Sequence, residues 1–234
     1  NVLLSNKFQI QLTPEQLARG NVIRDRMGLP KKSWFVCLHV REQGYLGNTP
    51  RHHHRNSSVS NYLPAIRYIT SKGGYVIRMG DPSMTSIQPM DKVIDYALSG
   101  FKSDLMDIYL LSQCYFFLGC DSGLFYVACM FHKPCCLVNL TELVISPPIF
   151  DQSMFIPKRF YSKQKQRFIS LAEALNSDVA LYNSDYIYVE NSPEEILETV
   201  KEQLLFMKNG KFYDSHHLQN KFNSNKRKRH ERLV

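Results

Sequence analysis

Three short stretches of the chain carry residue types that an anion would bind. His39-Val40-Arg41 ends an apolar run and sets an imidazole and a guanidinium two residues apart, which in an extended strand is one face. Its plainer reading is a core histidine beside a salt-bridging arginine. Arg78 sits within Gly74-Tyr-Val-Ile-Arg78-Met-Gly80-Asp81, inside an otherwise apolar run, where an unpaired charge is costly to bury. Its partner is either a protein carboxylate, Asp81 or Asp95, or a ligand phosphate suited to its planar fork. Leu118-Gly119-Cys120-Asp121-Ser122-Gly123 has the form of a strand, a tight turn and a helix start. The first helical N–H groups lack partners and the helix dipole favours negative charge there, so this turn offers an anion site as well as an ordinary N-cap.

These stretches need elements to hold them. Thr13-Pro14-Glu15-Gln16 is a capping box that opens a helix ending near Gly28-Leu29-Pro30. Residues 34–40 form an apolar run of the kind buried on both faces of a parallel sheet. Residues 59–72 have helical spacing and stop at Gly73-Gly74, and strands are expected over 75–79, 93–97, 115–119 and 135–138. Helices are expected from Ser103 to Gln113, from Ser122 to His132, and from the capping box Ser192-Pro-Glu-Glu195 to Asn209-Gly210, with a further capping box at Ser170-Leu-Ala-Glu173. This alternation predicts a doubly wound, Rossmann-like α/β domain with a mostly parallel sheet, in which ligands bind past the carboxyl ends of the strands. His39, Arg41, Arg78, Ser122 and Gly123 then face one crevice, a combination suited to a diphosphate such as that of a nucleotide sugar. Neither a Walker A motif nor G-x-G-x-x-G is present.

LHVRE (38–42), RNSSVSNYLPAI (55–66), GGYVIRMGD (73–81), DIYLLSQCYFFLGCDSGLFYVACMFHKPCCLVN (107–139) and ENSPEEI (190–196) resemble a family of bacterial glycosyltransferases related to the fucosyltransferase-like enzymes. The resemblance covers roughly residues 10 to 205. It implies a GT-B enzyme of which this chain holds chiefly the C-terminal, donor-binding half. It also implies that Arg41 contacts the donor diphosphate and that Ser122 opens the phosphate-binding helix. Arg41 is followed by Glu42-Gln43-Gly44, where the fucosyltransferases carry an acid two or three residues on, so the fucose-donor contacts do not carry over.

The reading that follows is a glycosyltransferase moving a sugar from a nucleotide-diphosphate donor to a glycan, lipid-linked or other hydroxyl acceptor, with inversion and without a metal. Arg41 and Arg78 are expected to stabilise the leaving group, with the base supplied by Glu42 or by a partner domain. His39, Arg41, Arg78, Asp121, Ser122 and Gly123 are expected around the donor, with no cofactor beyond it. The alternatives are a non-catalytic nucleotide- or phosphosugar-binding module and an interaction protein acting through a basic tail.

Length, composition and charge bound these readings. With 234 residues, 44% hydrophobic, the chain can bury roughly 70% of its unfolded surface, which excludes disordered and collagen-like classes. Its longest apolar run, Leu124–Phe131, is far short of a membrane span. The net charge of +8 is concentrated in residues 211–234, read as a basic, solvated tail able to touch an anionic membrane surface, and no nucleic-acid module is expected. Residues 1–210 are read as one nucleotide-sugar-binding domain, with a long loop over 140–168 crossing the sheet edge. Lys158, Arg159, Lys163, Lys165 and Arg167 read as exposed basic residues of that loop, a phosphorylated or lipid-linked acceptor being the other reading. Consecutive His52-His53-His54 cannot all face one ion and read as solvated loop. The six cysteines lie in apolar segments without metal spacing and read as reduced core residues of a cytoplasmic protein, while Asn1 and the missing signal-peptide pattern suggest a natural start upstream.

Overall fold

The computed structural model describes residues 10–44, 50–143, 152–175 and 185–210. Six parallel strands form the main sheet: β1 (Phe35–His39), β2 (Tyr75–Arg78), β3 (Val93–Ile94), β4 (Phe116–Gly119), β5 (Cys135–Leu140) and β6 (Met154–Pro157), in the order β3-β2-β1-β4-β5-β6. Strands β1, β4 and β5 are apolar and buried along almost their whole length, as a sheet covered on both faces requires. Helices α1 (Pro14–Arg26), α3 (Asp104–Gln113) and α4 (Gly123–Met130) lie on one face, over a core that includes Cys37, Ile77, Phe117 and Leu137. Helices α2 (Leu63–Ser71) and α6 (Pro193–Asn209) cover the other, with Val36, Leu38, Leu118 and Val138. The expected doubly wound α/β fold is the observed one.

The capping expectations also hold. Thr13 and Gln16, and Ser192 and Glu195, form reciprocal capping boxes, and Ser170 and Glu173 exchange the same pair of bonds ahead of α5 (Leu171–Leu175). Two corrections concern strands. The expected third strand keeps only Val93–Ile94 before turning into a 3-10 helix over Tyr96–Leu98, and the loop expected over 140–168 contains regular structure. Met154–Pro157 completes the sheet edge as β6. A second, antiparallel sheet is formed by β7 (Arg159–Ser162), β8 (Arg167–Phe168) and β9 (Tyr186–Val189), in the order β8-β7-β9. The basic cluster is correspondingly not a free loop. Lys158 is buried and donates to the Asn56 carbonyl at 2.5 Å, while Lys165 and Arg167 both pair with Glu173.

All six cysteines are buried free thiols. Asn139, in an Asn-x-Thr triplet, is also buried: its Oδ1 accepts the Asn191 N–H and the Asn191 Oδ1 accepts its own N–H, both at 2.6 Å. This exchange fastens the end of β5 to the turn that opens α6. The expected basic tail, 211–234, lies outside the described residues.

Candidate functional site

In this strand order the chain winds outward from β1 through β2 to β3, then returns to β4 on the other side of β1. The connections leaving the carboxyl ends of β1 and β4 therefore part in opposite directions and leave a gap, the place where open α/β sheets hold ligands. A crevice of about 290 Å³ occupies it, lined among others by His39, Arg41, Glu42, Asp81, Lys102, Asp107, Ser122 and Gly123.

The floor is formed where β1 and β4 meet. His39 is in register with Gly119, and a Cβ at residue 119 would stand 2.2 Å from the His39 carbonyl oxygen, so this close approach needs glycine. Past it, Ser122 is the N-cap of α4, accepting the Phe125 N–H through its hydroxyl. The N–H groups of Gly123 and Leu124 have no intrahelical partner, and nothing lies within 4 Å of where a Gly123 side chain would be. The helix thus brings donors without an intrahelical partner, and its positive dipole end, into the crevice lining. Arg41, 8% exposed, reaches the same crevice two residues beyond β1, and its carbonyl is held by the Ser57 N–H at 2.9 Å.

His39 contributes a neutral ring. Its Nδ1 donates to the Met79 carbonyl at 3.2 Å, leaving Nε2 as an acceptor, and burial, aided by the Arg41 charge, lowers its pKa to about 4. His39, expected around the donor, lines the crevice.

Arg78 and Asp121 belong to the surrounding framework. Arg78, 0% exposed, donates to both oxygens of Asp95 at 3.0 Å and pairs with Glu42. Of the protein partners the sequence offers it, Asp95 is engaged and Asp81 is not, with Glu42 as a second carboxylate. Glu42 lines the crevice, yet one carboxylate oxygen is engaged by Arg78 and the other accepts the Thr85 N–H at 2.8 Å. A base at this position would have to release a buried guanidinium. Asp121, 0% exposed, does not line the crevice. Its Oδ2 accepts the Thr141 hydroxyl at 2.9 Å and the Glu142 N–H at 3.2 Å, and its carbonyl accepts from Arg55 at 2.7 Å. It anchors the segments after β4 and β5.

Sequence reasoning missed Lys102 and Asp107. They form an ion pair at 2.8 Å in the crevice lining, and Asp107 also accepts the Tyr96 hydroxyl at 2.7 Å. The only signal for them was Ser103, the N-cap between the two. Among the described residues no three His, Cys, Asp or Glu side chains gather closely enough to hold a metal ion. No helix among them is long and apolar enough to cross a membrane.

No protein-family model matches the chain, and no curated protein matches its sequence. Solved structures do match its fold. A glycosyl transferase family 9 structure from Veillonella parvula DSM 2008 aligns over 84% of this chain and 53% of its own, at 10% identity and a TM-score of 0.50. The E. coli ADP-heptose LPS heptosyltransferase II aligns over 86% of this chain and 54% of its own, at 14% identity and a TM-score of 0.54. The chain spans about half the length of each.

Proposed function

We propose that this chain is the donor-binding half of a glycosyltransferase that uses a nucleoside-diphosphate sugar. The observation that carries the reading is the meeting of the Arg41 side chain and the free N–H groups of Gly123 and Leu124 in one crevice, at the β1–β4 switch point. A planar guanidinium and a helix N-terminus are complementary to a diphosphate, and they stabilise best the charge that develops as it leaves. Both matched structures are glycosyltransferases by title, and one acts with ADP-heptose, which agrees with this reading.

In the proposed reaction an acceptor hydroxyl oxygen bonds to the anomeric carbon as the bond from that carbon to the diphosphate oxygen breaks. The bonding electrons leave with the nucleoside diphosphate, and the hydroxyl proton passes to a base. With the leaving group held in the crevice, the acceptor approaches from the opposite side, which inverts the anomeric configuration. Glu42 is tied to Arg78, so the base is assigned to a domain facing the crevice. Arg41 and the α4 N-terminus neutralise the leaving group in this scheme and no metal is required. The acceptor is a glycan or lipid-linked hydroxyl.

A thermal-shift screen of GDP, UDP, ADP and CDP tests the reading, since a ligand bound only by the native state raises apparent stability by RT ln(1 + [L]/Kd). One of them should raise Tm at millimolar concentration. No shift with any of the four contradicts the assignment.

A further inference from the structure

Three carboxylates line the crevice, and their surroundings differ. Glu42 is paired with Arg78, which it shares with Asp95, and Asp107 is paired with Lys102. Asp81 makes no ion pair among the described residues. Its Oδ1 accepts the Ser83 N–H at 2.9 Å, and among the described residues no donor reaches its Oδ2.

The segment that carries Asp81 is held firmly. Gly80, at the carboxyl end of β2, has φ +149°, and the Met84 sulfur stands 1.9 Å from where a Cβ would be, so the chain packs back on itself there. Further along, the Thr85 N–H is accepted by Glu42 and the Ile87 N–H by Asp95 at 3.3 Å. Those carboxylates are joined through the buried Arg78. One guanidinium therefore fixes both the carboxylate that follows Arg41 and the loop that follows β2. Asp81 is a preset acceptor on a braced wall.

Its position relative to the anion site sets what it can read. β2, β1 and β4 are adjacent, about 4.8 Å apart, so the carboxyl ends of β2 and β4 lie about 10 Å apart at the crevice. A diphosphate at the Gly123 N–H groups lies on the β4 side of the crevice, out of contact with Asp81. A sugar ring attached to that diphosphate spans the remaining distance and brings hydroxyl hydrogens to Asp81.

Resting on the donor-binding reading above, we infer that Asp81 is a specificity-determining residue that accepts a hydroxyl hydrogen bond from the transferred sugar, so that the donor carries a neutral polyhydroxy sugar and not a uronate. A second carboxylate brought against Asp81 would be repelled, and one left facing an apolar group would lose its hydration without a replacement bond.

The test compares Asp81→Asn and Asp81→Ala with the wild-type protein by calorimetry. The probes are UDP, UDP-glucose and UDP-glucuronate, or ADP with ADP-glucose, or GDP with GDP-mannose, according to which diphosphate the protein binds. Expected are a Kd for the free diphosphate within about twofold of wild type in both variants, and a Kd for the neutral nucleotide sugar raised about tenfold or more in Asp81→Ala, the scale of a hydrogen bond to a charged group. Where UDP is the diphosphate bound, Asp81→Asn should also narrow the preference for glucose over glucuronate. An equal loss for diphosphate and nucleotide sugar, or no loss for either, overturns the inference. So does an unchanged nucleotide-sugar Kd with abolished turnover, which would make Asp81 a base. Failure of the wild-type protein to bind any diphosphate overturns instead the donor-binding reading beneath it.

Discussion

Arg78 and Glu42 form an ion pair between the interior of β2 and the lining of the crevice, with Asp95 as the guanidinium's second carboxylate. A buried charge of this kind is weak evidence for net stability but strong evidence of interdependence, because removing one member strands the others. Arg78→Met should lower unfolding free energy by about 3 kcal/mol, as read from urea denaturation. The triple variant Arg78→Met, Glu42→Gln, Asp95→Asn should recover much of that loss. A fully stable single variant would show that the carboxylates are solvated and that the network braces nothing.

Asn139 and Asn191 supply a comparable fixture in neutral form. Asn139→Ala leaves the Asn191 N–H and the Tyr62 hydroxyl without their partner and puts alanine at φ 57°, a left-handed conformation. A loss of about 3 kcal/mol is expected from the stranded groups and the strain together. An unchanged Tm would contradict it.

Stability should also respond to acid through the imidazoles. Burial lowers the pKa values of His39 and His54 to about 4, below the ordinary 6.5, so between those values the unfolded chain binds protons that the folded one does not. Stability is accordingly full above pH 6.5 and falls as pH drops toward 4, by about 3 kcal/mol for His39 if the whole shift is expressed. His39→Gln should flatten this dependence in denaturation curves recorded from pH 7 to pH 4.5.

Gly119 joins fold and site in one residue. With the His39 carbonyl 2.2 Å from a prospective Cβ, Gly119→Ala must part β1 from β4 at the crevice floor. Both lower stability and weaker diphosphate binding are expected. A variant that binds as wild type would show that the floor can move without disturbing the anion site.

How far these features are legible in the sequence depends on how local their causes are. The apolar run ending at His39 and the turn Gly119–Gly123 are local patterns, and they located β1, β4, the Ser122 cap and the crevice between them. The partners of Arg78 lie 36 and 17 residues away, so its chemistry was ambiguous until the sheet brought β1 and the segment after β3 beside β2. Asp121 looked like a cap residue because its true partners, Thr141 and Glu142, follow a different strand. Strands β6 to β9 are two to four residues long, too short to show an alternation, and β6 ends on a proline. Asp81 was visible as a nearby acid. That no cation among the described residues pairs with it became visible only once Glu42 and Asp107 had theirs.

The most direct measurement is calorimetric titration of the diphosphate identified by thermal shift into the wild-type protein and into Arg41→Lys. Lysine keeps the charge but loses the planar fork, so the variant should bind more weakly by about 1 to 3 kcal/mol, at unchanged stoichiometry and with Tm close to wild type. Equal affinity in the two proteins would contradict a diphosphate held by Arg41 at the α4 N-terminus.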